Sequence, residues 1–249
     1  ETNKYDDQVL EWYKSFRTPE ISLTKPTVFT YDSLSISPLY ITKKYDGVRN
    51  LAAILFGKFF VINSKQEVTY WADIEDPLLN QTLFDVEICV VDGIRQCHVF
   101  DILISNGIDI REYTFTDRLE QIDSMFRRGM PSGIFQKPHV LVDRNYHILL
   151  RFLKDLRPHL DEKTAAQKKI IFCDGFIATD GRGSYFQQPF KWKTDPTFDL
   201  VVDPRDHIFA TGTESHRYRI RNMILDDSSP LQKRYRNRVC EFRVLRREK

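Results

Sequence analysis

Between Leu39 and Leu103 the chain runs through six short apolar stretches rich in β-branched and aromatic residues, at 39–42, 51–56, 59–62, 68–71, 83–91 and 95–103. Stretches of that length match strands and are short for helices. The breaks between them carry turn chemistry. Gly57-Lys58 and Ser64-Lys65-Gln66 predict hairpin turns, and Asp92-Gly93 is a dipeptide preferred in tight primed turns. The runs from Leu39 to Trp71 predict an antiparallel meander, and those at 83–91 and 95–103 a second strand group.

Helical periodicity flanks it. Val9, Trp12, Tyr13 and Phe16 share one face of a helix expected over 6–17. Two further helices are expected, one over 117–128, where Asp117 and Glu120 have capping-box spacing, and one over 145–160, with Ile148, Leu149, Phe152, Leu153 and Leu156 apolar. Strands follow at 170–179, 184–193 and 198–202, with Gly181-Arg182-Gly183 as a turn between the first two. The fold class is α+β, built mainly on antiparallel sheet.

At 249 residues the chain accommodates one large domain or two unequal ones. No run approaches the ~18 apolar residues needed to span a bilayer, so no membrane partner is expected. The start, Glu1-Thr2-Asn3-Lys4, has no Met and no signal peptide, from which we expect a segment of a longer polypeptide. Cys89, Cys97, Cys173 and Cys240 form no C-x-x-C pair and read as buried reduced thiols in a cytoplasmic setting, not zinc ligands. Histidines 98, 139, 147, 159, 207 and 216 fall in no recognisable catalytic pair and read as surface or core residues.

The net charge of +2 conceals an asymmetry. Residues 215–249 hold eleven Lys/Arg against four Asp/Glu, about +7, which leaves about −5 for the rest. A polyanion partner for the C-terminal segment is one reading and a solvated basic tail the other. Arg217, Arg219 and Arg221 alternate, as do Arg234, Arg236 and Arg238, so extended chain would turn each set to one face.

The chain has no P-loop, no G-x-G-x-x-G after a strand, no H-E-x-x-H and no G-x-S-x-G. What stands out is Lys43-Lys44-Tyr45-Asp46-Gly47-Val48-Arg49, which packs amines, a carboxylate and a guanidinium into one turn between two apolar runs. Such a turn can aim a nucleophilic lysine into a groove while an arginine binds phosphate or sugar oxygens. Alone, it also reads as an ordinary charged surface turn.

Four more elements follow in order. Asp85-Val86-Glu87, His98-Val99-Phe100-Asp101-Ile102-Leu103, Asp174-Gly175-Phe176-Ile177 and Phe190-Lys191-Trp192-Lys193 all lie in apolar strands. With Lys44-x-Asp46-Gly47-x-Arg49 they resemble the motifs of the covalent nucleotidyltransferases, the superfamily of mRNA capping guanylyltransferases and ATP-dependent polynucleotide ligases. Val86 stands where the family usually has Gly, and Ser64-Lys65 where it usually has an Arg. Lys191-Trp192-Lys193 followed by Phe198-Asp199 resembles the capping branch, as does Asp174-Gly175; the Lys-Tyr-Asp-Gly form is common among ligases.

The resemblance implies a nucleotidyltransferase domain over 1–195, ATP-grasp-like with antiparallel sheets and flanking helices. It implies the start of an OB-type domain over 196–249, expected to be truncated, since Arg246-Arg247-Glu248-Lys249 comes too soon to be the family's last motif in a complete barrel. The implied activity is mRNA guanylyltransfer. Lys44 attacks the α-phosphate of GTP, pyrophosphate leaves, and GMP passes from the lysine to a 5′-diphosphate RNA end. ATP-dependent ligation and an inactive scaffold are the alternatives, and an RNA-binding module without chemistry would explain only the basic segment.

By resemblance Arg49 and Glu87 hold ribose hydroxyls, Phe100 stacks on the base, and Lys65 keeps a charge beside the nucleotide. Lys191 and Lys193 face the α-phosphate, and Mg²⁺ or Mn²⁺ is held on phosphate oxygens by Asp174 and, secondarily, Glu87. Read alone, Phe100 would be a core phenylalanine. Asp101 is expected to be structural, and Lys43, Tyr45 and Trp192 to face away. Arg217, Arg219 and Arg221 are the expected RNA contacts, and the parent chain is expected to be a large multifunctional viral capping enzyme, in the host cytoplasm or virion. A free lysine has a pKa of ~10.4, so presenting a neutral amine at pH 7 costs roughly 4.6 kcal/mol, which neighbouring cations would reduce.

Overall fold

The computed structural model describes residues 3–16, 27–29, 31–142, 145–194, 197–202, 208–210, 218–219 and 239–243. Two compact units divide the chain, Glu1–Trp192 and Lys193–Lys249. The elements of the first begin with α1 (Asn3–Ser15), β1 (Thr27–Val28), β2 (Leu39–Tyr45), β3 (Val48–Leu55), β4 (Lys58–Ile62), β5 (Val68–Asp73), β6 (Thr82–Val91), β7 (Ile94–Ser105) and β8 (Ile108–Asp109). They continue with α2 (Phe115–Arg127), β9 (Ile134–Gln136), β10 (Val140–Leu141), α3 (Tyr146–Leu156), α4 (Glu162–Lys168), β11 (Cys173–Asp180) and β12 (Phe190–Lys193), whose last residue opens the second unit. The fold is α+β.

The meander forms from Val48 onward; the Leu39–Tyr45 run expected to open it pairs instead with β10 and β11 in a second sheet, because the Asp46-Gly47 turn carries the chain from one sheet to the other. A seven-stranded sheet runs β5-β4-β3-β6-β7-β8, antiparallel throughout, with β9 added parallel to β7. Asp92 and Gly93 both take positive φ, as the β6–β7 hairpin requires. The β3–β4 hairpin turns on Phe56-Gly57, one residue before the expected Gly57-Lys58, because Lys58 already pairs with Leu55.

Both faces of this sheet are covered, which accounts for the unbroken Leu51-Ala52-Ala53-Ile54-Leu55 run. Ala52, Ile54, Phe59, Phe84 and Ile102 meet Phe115, Ile122 and Met125 of α2 on one face. Leu51, Ala53, Phe60, Leu83 and Leu103 meet Val9 and Tyr13 of α1 on the other. Each large side chain removed from water contributes about 1.5–3 kcal/mol, so the two layers fix the sheet between the helices.

A second sheet, β1-β12-β11-β2-β10, packs Leu39, Ile41, Phe176 and Ala178 against Phe152 and Leu156 of α3. The helices depart from the sequence reading at their ends. Thr114 caps α2, accepting from the Asp117 amide, so the box is Thr114–Asp117 and not Asp117–Glu120. The helix expected over 145–160 ends at Leu156, since Pro158 cannot continue it, and a separate α4 follows with Asp161 as its cap. Of the strand expected over 184–193 only Phe190–Lys193 forms; residues 181–189 make a loop.

The second unit contains a four-stranded antiparallel sheet ordered β15-β14-β13-β16, from β13 (Thr197–Val202), β14 (Ile208–Ala210), β15 (Tyr218–Arg219) and β16 (Val239–Arg243). Arg219 lies on β15; Arg217, Arg221, Arg234, Arg236, Arg238, Arg246, Arg247, Glu248, Lys249, His207 and His216 lie outside the described residues. Among the described residues no helix is long and apolar enough to cross a membrane. Cys89, Cys97 and Cys173 are buried free thiols, each pushed up to about 12 chiefly by burial.

Candidate active site

Strand alternation separates the two adjacent lysines. Leu39, Ile41 and Tyr45 face the third apolar cluster, and Lys43, on that same face, reaches Asp155 Oδ2 at 2.7 Å and His159 Nε2 at 2.8 Å. Lys44 therefore points to the other face of β2. There its Nζ lies 2.7 Å from both Asp174 oxygens, across 130 residues of sequence. A bulge makes this meeting possible: Cys173 pairs with Tyr45 and Gly175 with Lys44, which leaves Asp174 as the extra residue of β11 and turns its side chain onto the lysine's face.

The Asp46-Gly47 turn carries the chain into the seven-stranded sheet. A Cβ at Gly47 would lie 2.8 Å from the Ile88 carbonyl oxygen and from Glu87 Cγ, and 2.9 Å from Cys89 Sγ. Only glycine lets the turn sit this close to β6. The result is that Arg49 of β3 comes opposite Glu87 and diagonal to Asp85, all on one face.

Arg49 donates from Nε to Asp85 Oδ1 at 2.9 Å and from Nη2 to Asp85 Oδ2 at 2.5 Å, a bidentate pair whose carboxylate side chain is 0% exposed. Burial works against the guanidinium charge, but Asp85 and the Tyr185 hydroxyl outweigh it and hold the Arg49 pKa above its ordinary value. Of its five N–H groups three are taken by Asp85 and Tyr185; the Nη1 amine has no protein partner among the described residues. Glu87 accepts from Lys137 Nζ at 2.8 Å, and Lys137 is buried with its ammonium 4.4 Å from the centre of the Tyr45 ring. Burial, reinforced by Cys173, Cys89 and Glu87, pushes the Tyr45 phenol up.

A second bulge sets Phe100. Asp85 pairs with Asp101 and Val86 with Val99, so Phe100 is the extra residue of β7. It is half-buried and belongs to none of the three apolar clusters; instead Arg49 and Lys137 lie 5.7 and 5.4 Å from its ring centre. Its neighbour Asp101 takes a structural role, paired with the buried Arg118 at 2.8 and 3.0 Å. Trp192 stacks on Phe176 at 5.4 Å, which by alternation turns Lys191 to the face of Lys44 and Asp174. Lys193 belongs to the second unit. Lys65 is exposed in the turn after β4, at the end of the sheet where β3 begins.

Among the described residues no three His, Cys, Asp or Glu side chains come together as a metal site. Asp174 and Glu87, the two carboxylates nominated for a metal, each face a lysine. Such a donor set forms no protein cage; a carboxylate such as Asp174 would only complete the shell of a Mg²⁺ carried in on phosphate oxygens. What the arrangement can do is bind a polyanion between cations, stack a planar group on Phe100, and present an amine. Sequence reasoning missed three of its parts: Lys137, the Asp85 clasp on Arg49, and Tyr185. The signal for Lys137 was a lysine directly after the Ile134-Phe135-Gln136 run and before Pro138.

No family model and no curated protein matches the chain. Solved structures similar to it include the ligase domain of LigD from M. tuberculosis, 15% identical with a TM-score of 0.45, covering 71% of this chain and 61% of that one. A Lig E DNA ligase is 10% identical with a TM-score of 0.48, covering 88% and 97%. Chlorella virus DNA ligase-adenylate is 14% identical with a TM-score of 0.44, covering 89% and 92%. The chain thus spans about three fifths of the first of these. At such values the likenesses add nothing to the side-chain geometry, on which the functional reading rests.

Proposed function

We propose that this chain is a covalent nucleotidyltransferase, and specifically a guanylyltransferase that builds the 5′ cap of RNA. One observation carries the reading: the lysine of the K-x-D-G-x-R element meets the Asp174 carboxylate at 2.7 Å, on the face to which Lys191 also turns. In the same unit Arg49, Glu87 and Phe100 gather at one place on the seven-stranded sheet.

In this mechanism Phe100 stacks on the guanine, with Arg49 and Lys137 beside its ring. The Arg49 Nη1 amine and the Glu87 carboxylate, oriented by Asp85 and Lys137, take the ribose hydroxyls. Lys191 neutralises charge on the α-phosphate. The Lys44 nitrogen lone pair attacks that phosphorus, the bond to the bridging oxygen breaks, and pyrophosphate leaves with the electron pair. Asp174, hydrogen-bonded to that amine, takes the proton whose loss frees the lone pair, and the proton released as the N–P bond forms leaves with the pyrophosphate. The terminal phosphate oxygen of a 5′-diphosphate RNA then attacks the phosphorus of the lysyl-GMP phosphoramidate, the P–N bond breaks, and Asp174 returns its proton to the leaving nitrogen, which restores the amine. A bound Mg²⁺ or Mn²⁺ would be held by substrate phosphates with Asp174 and would supply further charge neutralisation.

The test is incubation with α-labelled GTP or ATP and a divalent metal. The expected result is an acid-labile, alkali-stable protein adduct from GTP in strong preference to ATP. A preference for ATP moves the chain to polynucleotide ligation, and no adduct from either leaves only a scaffold.

A further inference from the structure

The loop from β11 to β12, residues 181–189, joins the strand of Asp174 to the strand of Lys191. It is held at four points. Thr116 donates from its amide and its hydroxyl to the Gly181 carbonyl at 2.9 and 3.0 Å, Arg118 Nη1 donates to Gly183 O at 3.3 Å, and the Tyr185 amide donates to Arg111 O at 2.8 Å. The fourth point is a side chain. The Tyr185 hydroxyl donates to Asp85 Oδ2 at 2.9 Å and accepts from Arg49 Nη2 at 3.2 Å.

We propose that Tyr185 is a positioning residue for nucleotide binding: its hydroxyl completes the clasp on Arg49, so that the Nη1 amine is aimed at the bound nucleotide. This inference rests on the nucleotidyltransferase reading. Donor counting supports it. Asp85 alone grips one edge of the guanidinium and leaves the second Nη2 hydrogen unclaimed; Tyr185 claims it while also bonding the carboxylate, closing a three-membered ring of groups. Burial, with the Asp85 charge, holds the phenol's pKa above its ordinary value, so the proton needed for this ring stays on. The aim of Arg49 therefore depends on the loop that connects Asp174 with Lys191.

Tyr185→Phe keeps the ring and its packing near Arg118 and Phe186, and removes only the hydroxyl. The apparent KM for GTP in adduct formation is expected to rise about tenfold, equivalent to about 1.4 kcal/mol, with the maximal rate within about twofold. In an Arg49→Lys background, which keeps a cation for Asp85 but has no Nη2, the same change should alter KM less than about twofold. Arg182→Ala, in the same loop with its side chain largely exposed, should leave KM as it is. An unchanged KM in Tyr185→Phe, or an equal effect in both backgrounds, overturns the proposal. Equilibrium binding of GTP and of ATP keeps the two readings apart. If wild type binds nucleotide without forming an adduct, the transferase reading falls, and the same cycle in Kd still decides the role of Tyr185. Binding of neither overturns both.

Discussion

Lys137→Met removes a cation that the fold has taken almost wholly out of water. Its side chain is 4% exposed and that of its partner Glu87 15%, with 2.8 Å between Nζ and Oε2. At an effective dielectric of about 20 a pair at that distance attracts by about 6 kcal/mol, and desolvation offsets much of it. Removing one partner strands the other, so the expected net loss is about 3–5 kcal/mol. For a chain of this size that corresponds to a fall in Tm of roughly 6–20 °C. The assay is thermal unfolding of wild type, Lys137→Met, and Lys137→Met with Glu87→Gln. The double variant leaves no uncompensated charge and should recover more than half of the loss. A single variant within about 1 kcal/mol of wild type, or a double variant no better than the single, would refute the argument that this pair is a buried, mutually dependent part of the site.

Gly47→Ala puts a methyl group 2.8 Å from the Ile88 carbonyl oxygen, a backbone atom that cannot swing away, so stability should fall by about 1–3 kcal/mol and adduct yield with it; native-like melting would dismiss the close approach. His98 is buried with its pKa brought down to about 4 by burial and by Lys137, below the 6.5 of an unfolded histidine. The unfolded chain therefore binds the extra proton first, so this contribution, up to about 3 kcal/mol, is present above pH 6.5 and lost as the pH falls towards 4; His98→Gln should flatten Tm against pH in that window, and an unchanged slope would point to other groups. Replacing Arg217, Arg219 and Arg221 by Ala should flatten the salt dependence of single-stranded RNA binding by about 0.7 in log–log slope for each phosphate these side chains neutralise, and full retention of the slope would make those arginines a solvated face.

Much of the sheet architecture was legible because burial on two faces and turn dipeptides leave direct traces. Leu51 to Leu55 is apolar throughout since α1 and α2 cover opposite sides, and Asp92-Gly93 supplies the positive φ its hairpin uses. The bulges left no trace. Asp174 and Phe100 reach the site only because one strand carries an extra residue at each, and simple alternation would have turned both side chains the other way. Phe100 taken alone read as core, and its burial is partial because its neighbours are Arg49 and Lys137. Lys137 escaped notice because the parallel pairing of β9 with β7 spans only three residues, too short for any periodicity. Tyr185 lay in a stretch read as strand, where a loop instead lets its hydroxyl turn to Asp85.

In the proposed reaction Lys44, and no other amine, becomes covalently joined to the nucleotide. The direct measurement is mass spectrometry of peptides from protein incubated with GTP and Mg²⁺, beside Lys44→Ala treated in the same way. We expect one modified lysine, Lys44, heavier by a GMP moiety, and no adduct in a Lys44→Ala protein that melts like wild type. Modification of Lys43, which faces Asp155 and His159, or an adduct that survives Lys44→Ala, would contradict it.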